Sequence, residues 1–293
     1  MKLKKWIKEN TTSLKGVKIA ITGATGGLGE HVATTLVKLG ATLFLLARNE
    51  EKTKALIKKI SLIYPNANLQ YIYCDLTNFE SVKSATQELK IYEIDMLFHN
   101  SGIYNVPRTI TSIGFDNVFQ VNFLMPYYMT KELLPTLNKS KFGKVMVTGS
   151  VAHNYSKFNK SDIQFLKEKK SSKVYGNSKR MLMFSLYELM KNQNCKLSIA
   201  HPGVTLTNMT NHYPKCINWL VKIGIKLLFP SNEKAIRSLI KAVFDETDYH
   251  EWIGPSIFNV WGKPKKQKLK TCSEEESNEI FTISENLYSS LTK

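Results

Sequence analysis

The chain is poor in cysteine, with four residues at 74, 195, 216 and 272 among 293. No two form C-x-x-C, and no Cys/His pair has zinc-ligand spacing, so neither a disulfide framework nor a zinc module is expected. Cys74 and Cys195 fall inside apolar, strand-like runs. A buried thiol is the simplest state there, and it implies a reducing, cytoplasmic setting. No metal site is expected. Long apolar runs are also lacking: no stretch reaches the roughly 18 uncharged residues of a bilayer-spanning helix. The opening MKLKKWIKEN is basic, but no apolar stretch follows it, so a secretory signal is not expected. Internal repeats and Pro/Gly-rich linkers are missing, which argues for one domain over residues 1–293.

Acidic residues are scarce as well: 24 Asp and Glu against 41 Lys and Arg, a net charge of +17. Such a balance invites nucleic acid, a membrane surface or an anionic ligand. The excess is local. Residues 1–18 carry six Lys and one Glu, 153–180 carry eight basic and two acidic residues, and 263–270 carry five Lys. The rest of the chain is almost neutral. No basic helix is interleaved with aromatics, so nucleic acid is not an expected partner. Solvated lysines on chain edges are the plain reading, and a dedicated basic site stays open.

What is present is alternation. Apolar, β-branched runs recur at 17–22, 42–47, 69–74, 95–99, 144–149 and 196–201, with a further short strand near Trp252–Gly254. Segments of helical period lie between them, such as Leu28 to Leu39, Glu50 to Ile63 and Asn78 to Leu89. This pattern predicts an α/β fold with about seven parallel strands and helices on both faces. Residues 1–14 read as a basic extension, 208–230 as a substrate-covering segment and 262–293 as a C-terminal extension.

TGATGGLG (Thr22 to Gly29) follows the first strand and opens the first long helix. Gly23 lets the chain turn, Gly27 lets backbone approach a pyrophosphate, and Gly29 allows close helix–sheet contact. A Rossmann-type dinucleotide site is expected, with Thr25 and Leu28 on its lip. At the end of the second strand an acid would bond a ribose 2′-OH, but the chain has Ala47 and then Arg48. A guanidinium suits a 2′-phosphate, so NADP(H) is expected over NAD(H). Tyr175 and Lys179 in VYGNSK stand four apart, on one face of a helix. A nearby ammonium would lower the phenol pKa. Ser150 closes the fifth strand, on the edge that faces the ligand crevice.

In order and spacing these motifs, together with Asp75 in CDLT, HNSG at 99–102, Asn122 in VNF and HPGVTLT at 201–207, resemble the short-chain dehydrogenase/reductase family. The resemblance covers about Lys15 to Val260. It implies a hydride-transferring enzyme acting on CH–OH groups, with Tyr175 as general acid or base. It implies that Lys179 tunes Tyr175 and bonds the nicotinamide ribose, and that Ser150 holds the substrate oxygen. By the same resemblance Asn122 holds a relay water and Asp75 contacts adenine beside Leu76. Asn100 and Gly102 would shape the cofactor floor, with Pro202, Gly203, Thr205 and Thr207 beside the nicotinamide. Asp75 also reads as a helix cap, and Thr207 likewise. The family often has N-N-A-G where His99 and Ser101 stand here. A non-catalytic NADP(H)-sensing protein is the alternative on the same fold; an epimerase fits the glycine spacing less well.

SVAH (150–153) and the helix VNFLMPYYMTKELLP resemble the retinol-dehydrogenase-like branch, which implies a lipophilic alcohol or carbonyl substrate. His153 could touch that substrate or bond backbone. INWLVKIGIKLLF (217–229) has one narrow polar stripe, Asn218, Lys222 and Lys226. It could cover the pocket, meet a second subunit or lie on a membrane, which would make the protein membrane-peripheral. A homodimer through the Tyr175 helix is a further expectation from the resemblance.

Overall fold

Strand β1 (Lys18–Thr22) shows why the sequence reads as buried sheet: Ile19 and Ile21 face one apolar cluster while Ala20 faces another. Strands β2 (Thr42–Ala47), β3 (Leu69–Tyr73), β4 (Met96–His99), β5 (Lys144–Thr148) and β6 (Lys196–Ala200) follow in the computed structural model, which describes residues 3–203 and 231–293. Strands β7 (Glu251–Ile257) and β8 (Trp261–Lys268) complete one sheet, ordered β3-β2-β1-β4-β5-β6-β7-β8. Strands β1 to β7 are parallel. A parallel strand is apolar on both sides because both sheet faces are covered. Helices α1 (Leu3–Asn10), α2 (Gly27–Lys38), α3 (Glu50–Ile63) and α8 (Asn232–Phe244) cover one face. Helices α4 (Phe79–Tyr92), α6 (Met125–Leu137), α7 (Ser171–Met190) and α9 (Glu274–Leu291) cover the other. Each large apolar side chain so buried stabilises the fold by about 1.5–3 kcal/mol.

The strand order reverses between β1 and β4. Chain leaving those two strands diverges to opposite faces, and a crevice opens at their carboxyl ends. Register aligns the strand ends: Ile21 lies opposite Phe98, His99 opposite Val147, and Thr148 opposite Ala200.

The seven expected parallel strands are present, and an eighth, β8, is added at the edge, antiparallel to β7. Its sequence, WGKPKKQK, carries no apolar alternation, because an edge strand needs no second buried face. Its lysines and Pro264 suit an edge that must not pair further. Residues read as extensions are also built in. Trp6 and Ile7 of α1 are buried against the sheet's apolar cluster. On α9, Glu285 accepts from Tyr127 at 2.5 Å and from Lys131 at 2.8 Å, and Tyr288 donates to Glu132 at 2.6 Å.

Among the described residues, the part of α7 left at the surface is its first turn, where Ser172 is exposed and Ser171, Lys173 and Tyr175 are half-buried. From Gly176 to Met190 every residue of α7 is buried by its own chain, and α9 packs along it. Arg180 of α7 forks onto Glu276 of α9, with Nε to Oε1 at 2.6 Å and Nη2 to Oε2 at 2.8 Å.

Candidate active site

The crevice is a cleft of about 880 Å³, in the range of ligand pockets. One end is the glycine turn between β1 and α2. Gly23 adopts φ +70°, and a Cβ there would strike Ser101. A Cβ on Gly29 would overlap the Gly23 carbonyl oxygen, so only glycine lets α2 start this close to the strand. Thr25, Gly27 and Leu28 line the cleft beside them.

Asn100 ties three strand ends together. Its Nδ2 donates to the Gly23 carbonyl at 3.1 Å, and its Oδ1 accepts from Thr148 Oγ1 at 3.2 Å. The backbone N–H groups of Asn100 and Ser101 donate to Thr22 Oγ1 at 3.1 and 3.0 Å. The expected Asn therefore works as a scaffold for the turn.

Asp75 and Leu76 line the same end. Asp75 Oδ1 accepts from the Thr77 N–H at 2.9 Å and its hydroxyl at 2.8 Å. Asn78, not Asp75, caps α4. Arg48 follows β2 at the rim, exposed, and Lys52 in the first turn of α3 lines the cleft with it. Lys52 was not singled out from the sequence. Its signal was its place in RNEEK, one turn past Arg48.

At the other end, Ser150 caps the short helical turn Val151–Tyr155, accepting from the Ala152 N–H at 3.2 Å. Tyr175 lines the cleft with Ser150, whose hydroxyl favours the ionised form of the phenol. The Tyr104 ring stands edge-on to Tyr175, 5.3 Å between centroids. Lys179 is buried and donates from Nζ to the Thr148 carbonyl at 3.0 Å. Gly102 leaves room there: a Cβ on it would lie 3.4 Å from both Lys179 Nζ and Asn122 Oδ1.

Asn122 sits in a π-helical turn, Gln120–Leu124, that joins the short α5 (Asn117–Phe119) to α6. Such turns cluster at functional sites. Its Oδ1 accepts from the Ile103 N–H at 2.8 Å, and its Nδ2 donates to the Ile103 carbonyl at 2.9 Å and to Ser178 Oγ at 3.0 Å. These bonds make the Asn122 side chain a clamp between the loop after β4 and α7, with one Oδ1 lone pair left over.

The electrostatics differ from the sequence-based expectation. Burial pushes the Tyr175 phenol up to about 12; the Ser150 hydrogen bond opposes this and Tyr104 adds to it. Burial also pulls Lys179 down to about 8. Its Nζ lies 5.8 Å from the Tyr175 ring centroid, so desolvation outweighs ammonium attraction in this protein.

His153 is not on the cleft wall. It is fully buried, with Nδ1 2.5 Å from the Ser150 carbonyl oxygen and its ring edge-on to Phe184 and Trp252. The backbone-bonding alternative describes it. His201, which was not singled out, does line the cleft, stacked on Trp252 at 5.0 Å. Its signal was HPG directly after β6. Pro202 and Gly203 line the cleft beside it. Thr205, Thr207 and segments 208–230 and 217–229 lie outside the described residues. Among the described residues no His, Cys, Asp and Glu cluster could hold a metal ion, and no helix is long and apolar enough to cross a membrane.

Residues 18–216 match the family model described as short chain dehydrogenase. The chain belongs to the short chain dehydrogenase family. It is an oxidoreductase, and its curated relatives include retinol dehydrogenases. It is 28% identical over 277 residues to polyprenol dehydrogenase of Homo sapiens, covering 86% of this chain and 83% of that one. It is 29% identical over 212 residues to retinol dehydrogenase 12 of Mus musculus, covering 70% and 67%. A crystal structure of a Mycobacterium paratuberculosis protein shares the fold at TM-score 0.75 and 22% identity over 96% of both chains. A Sphingobium yanoikuyae short-chain dehydrogenase solved with NADPH does so at TM-score 0.57 and 20% identity, over 76% of this chain and 83% of that one.

Proposed function

We propose that this short chain dehydrogenase is an NADP(H)-dependent oxidoreductase interconverting a lipophilic alcohol and its aldehyde or ketone. The observation that carries the reading is the convergence of Ser150, Tyr175 and Lys179 at one end of a cleft whose other end is a glycine turn. The residues present fit a dinucleotide. Gly26 and Gly27 begin α2 with no side chains over its free N–H groups, and a Cβ at Gly26 would meet only the Gly23 carbonyl oxygen, at 4.0 Å. Arg48 and Lys52 would hold the 2′-phosphate, Asp75 and Leu76 the adenosine, and Gly102, Lys179, Pro202 and Gly203 the nicotinamide riboside.

When bound, the cofactor supplies or accepts the hydride. The chain handles the proton. In reduction, the Tyr175 hydroxyl gives its proton to the carbonyl oxygen as the hydride arrives at carbon, and Ser150 donates a hydrogen bond to that oxygen. A phenol pushed up to about 12 is fully protonated at neutral pH and ready for this step. Oxidation needs the phenolate, so it is expected to rise with pH. The wall around Tyr175 is apolar: Ile103, Tyr104, Val106, Val121, Val151 and Tyr155. That wall, and the relatives named for polyprenol and retinol, support a lipophilic substrate.

The test is NADPH consumption across aldehydes and ketones of graded chain length. Turnover rising with chain length is the expected result. Tyr175→Phe is expected to lower kcat by about 10²–10⁴-fold; unchanged turnover would overturn the mechanism.

A further inference from the structure

The hairpin at the far edge of the sheet has no part in the chemistry above. Its tip exposes large apolar side chains: Phe258 is 85% and Ile257 51% exposed. Phe258 takes φ +49°, and Asn259 follows at +55°. An aromatic residue in the left-handed region is strained, and here the backbone holds the ring out, 85% exposed. The tip is stiff. The Val260 N–H closes it onto the Ile257 carbonyl at 3.0 Å, and Gln267 Nε2 bridges the Gly254 and Pro255 carbonyls at 3.2 and 3.1 Å.

Behind the tip come lysines. Lys263, Lys265, Lys266, Lys268 and Lys270 are all exposed, and none pairs with an acid among the described residues. Helix α8 packs against both β8 and α1, and α1 carries exposed Lys4 and Lys8. Two of the three basic stretches are thus gathered around one helix.

The hairpin root abuts the cleft. A Cβ on cleft-lining Gly203 would lie 3.2 Å from the Val260 carbonyl oxygen and 3.3 Å from the Pro255 ring. Because β7 is parallel to β6, the tip projects from the carboxyl edge, the edge on which the cleft opens.

We propose that the β7–β8 hairpin docks the protein on an anionic phospholipid surface, with Phe258 and Ile257 entering the interfacial layer and the β8 lysines meeting lipid phosphates. An apolar tip beside a row of cations is the pattern such a surface recognises. Edge pairing with a second copy is opposed by Pro264 and by like charge along β8. The consequence is that the cleft mouth faces the lipid, so an apolar substrate need not cross water to reach Tyr175. The docking itself rests on the surface alone and not on the catalytic reading.

The test is co-sedimentation of the full chain with vesicles of phosphatidylcholine alone or with 30% phosphatidylserine. Binding to the phosphatidylserine vesicles only, weakened by salt, is expected. Phe258→Asn keeps a residue that tolerates the left-handed turn, so the fold is retained; about tenfold weaker partition is expected. Replacing Lys263, Lys265 and Lys266 together with Ser is expected to weaken it about a hundredfold. NADPH affinity, measured on the same variants, should not change. Three results would overturn the proposal: no binding by the unaltered protein, binding untouched by either variant, or charge-dependent binding that is indifferent to Phe258→Asn and shared with RNA or DNA. None of these bears on turnover, so a failed docking site leaves the catalytic reading standing.

Discussion

Lys179 and Lys265 carry the same side chain and share no chemistry. Lys179 lies inside α7, walled from water, with a backbone carbonyl as its hydrogen-bond partner, and burial brings its pKa to about 8. Lys265 lies on an edge strand, exposed to water. The difference teaches where charge becomes a tool in this protein. Buried, it is destabilised and therefore responsive; exposed, it acts only in numbers, on a partner of opposite sign. The overall +17 describes the second kind of lysine.

The comparison breaks first at Lys179. Lys179→Met is expected to cut kcat by about 10²–10⁴-fold, because the group behind Tyr175 loses its charge and its donor. The same variant has a stability signature. In the folded protein Lys179 titrates near 8, against 10.5 ordinarily. The unfolded chain therefore binds more protons between those values, and stability contributed at this site rises with pH across that window. Denaturant titrations at pH 8 and pH 10 should reveal the rise in the parent and a smaller one in Lys179→Met.

Three buried histidines extend the same argument to acid. Burial holds His99 near 3 and His153 and His201 near 4, all below the ordinary 6.5. Between about 4 and 6.5 the unfolded chain binds up to three more protons than the folded one. Stability should fall as pH drops through 6.5, at a slope approaching about 4 kcal/mol per pH unit near pH 5. A flat melting temperature from pH 7 to pH 5 would contradict the burial of these rings.

Arg48 stands between the two kinds of cation, exposed yet on the cleft. Arg48→Ala is expected to weaken NADPH about tenfold relative to NADH, by fluorescence titration, with Lys52 retaining part of the preference. The smallest effect belongs to the far edge: Lys265→Ser should change stability by less than about 0.5 kcal/mol, measured by chemical denaturation.

These contrasts also mark what could be read in advance. The parallel strands were legible because burial on two faces writes a continuous apolar run. Strand β8 was not, since one free edge and one free face leave a polar sequence that looks like a tail. The spacing of Tyr175 and Lys179 announced a shared helix face, which is local. The direction of their pKa values depends on which atoms from β5, α7 and the loop after β4 exclude water, which is not. His153 and His201 invert for the same reason: nearness in sequence to Ser150 does not say which way a ring turns after the strand ends.

The contact between Arg180 and Glu276 joins the neighbour of Lys179 to a helix near the chain's end. Arg180 is buried, and besides the Phe184 ring beneath it, its remaining hydrogen-bond partners among the described residues are the carbonyls of His153 and Thr271. A guanidinium in such a place without its carboxylate is a strongly destabilising fault. On a ribosome, the glycine turn and strands β1 to β5 emerge before the catalytic helix, which then waits with its cation unmatched. Only when residues 274–291 leave the exit tunnel is that helix sealed. A chain that stops before residue 274 should therefore leave the catalytic helix unsealed and turn over nothing.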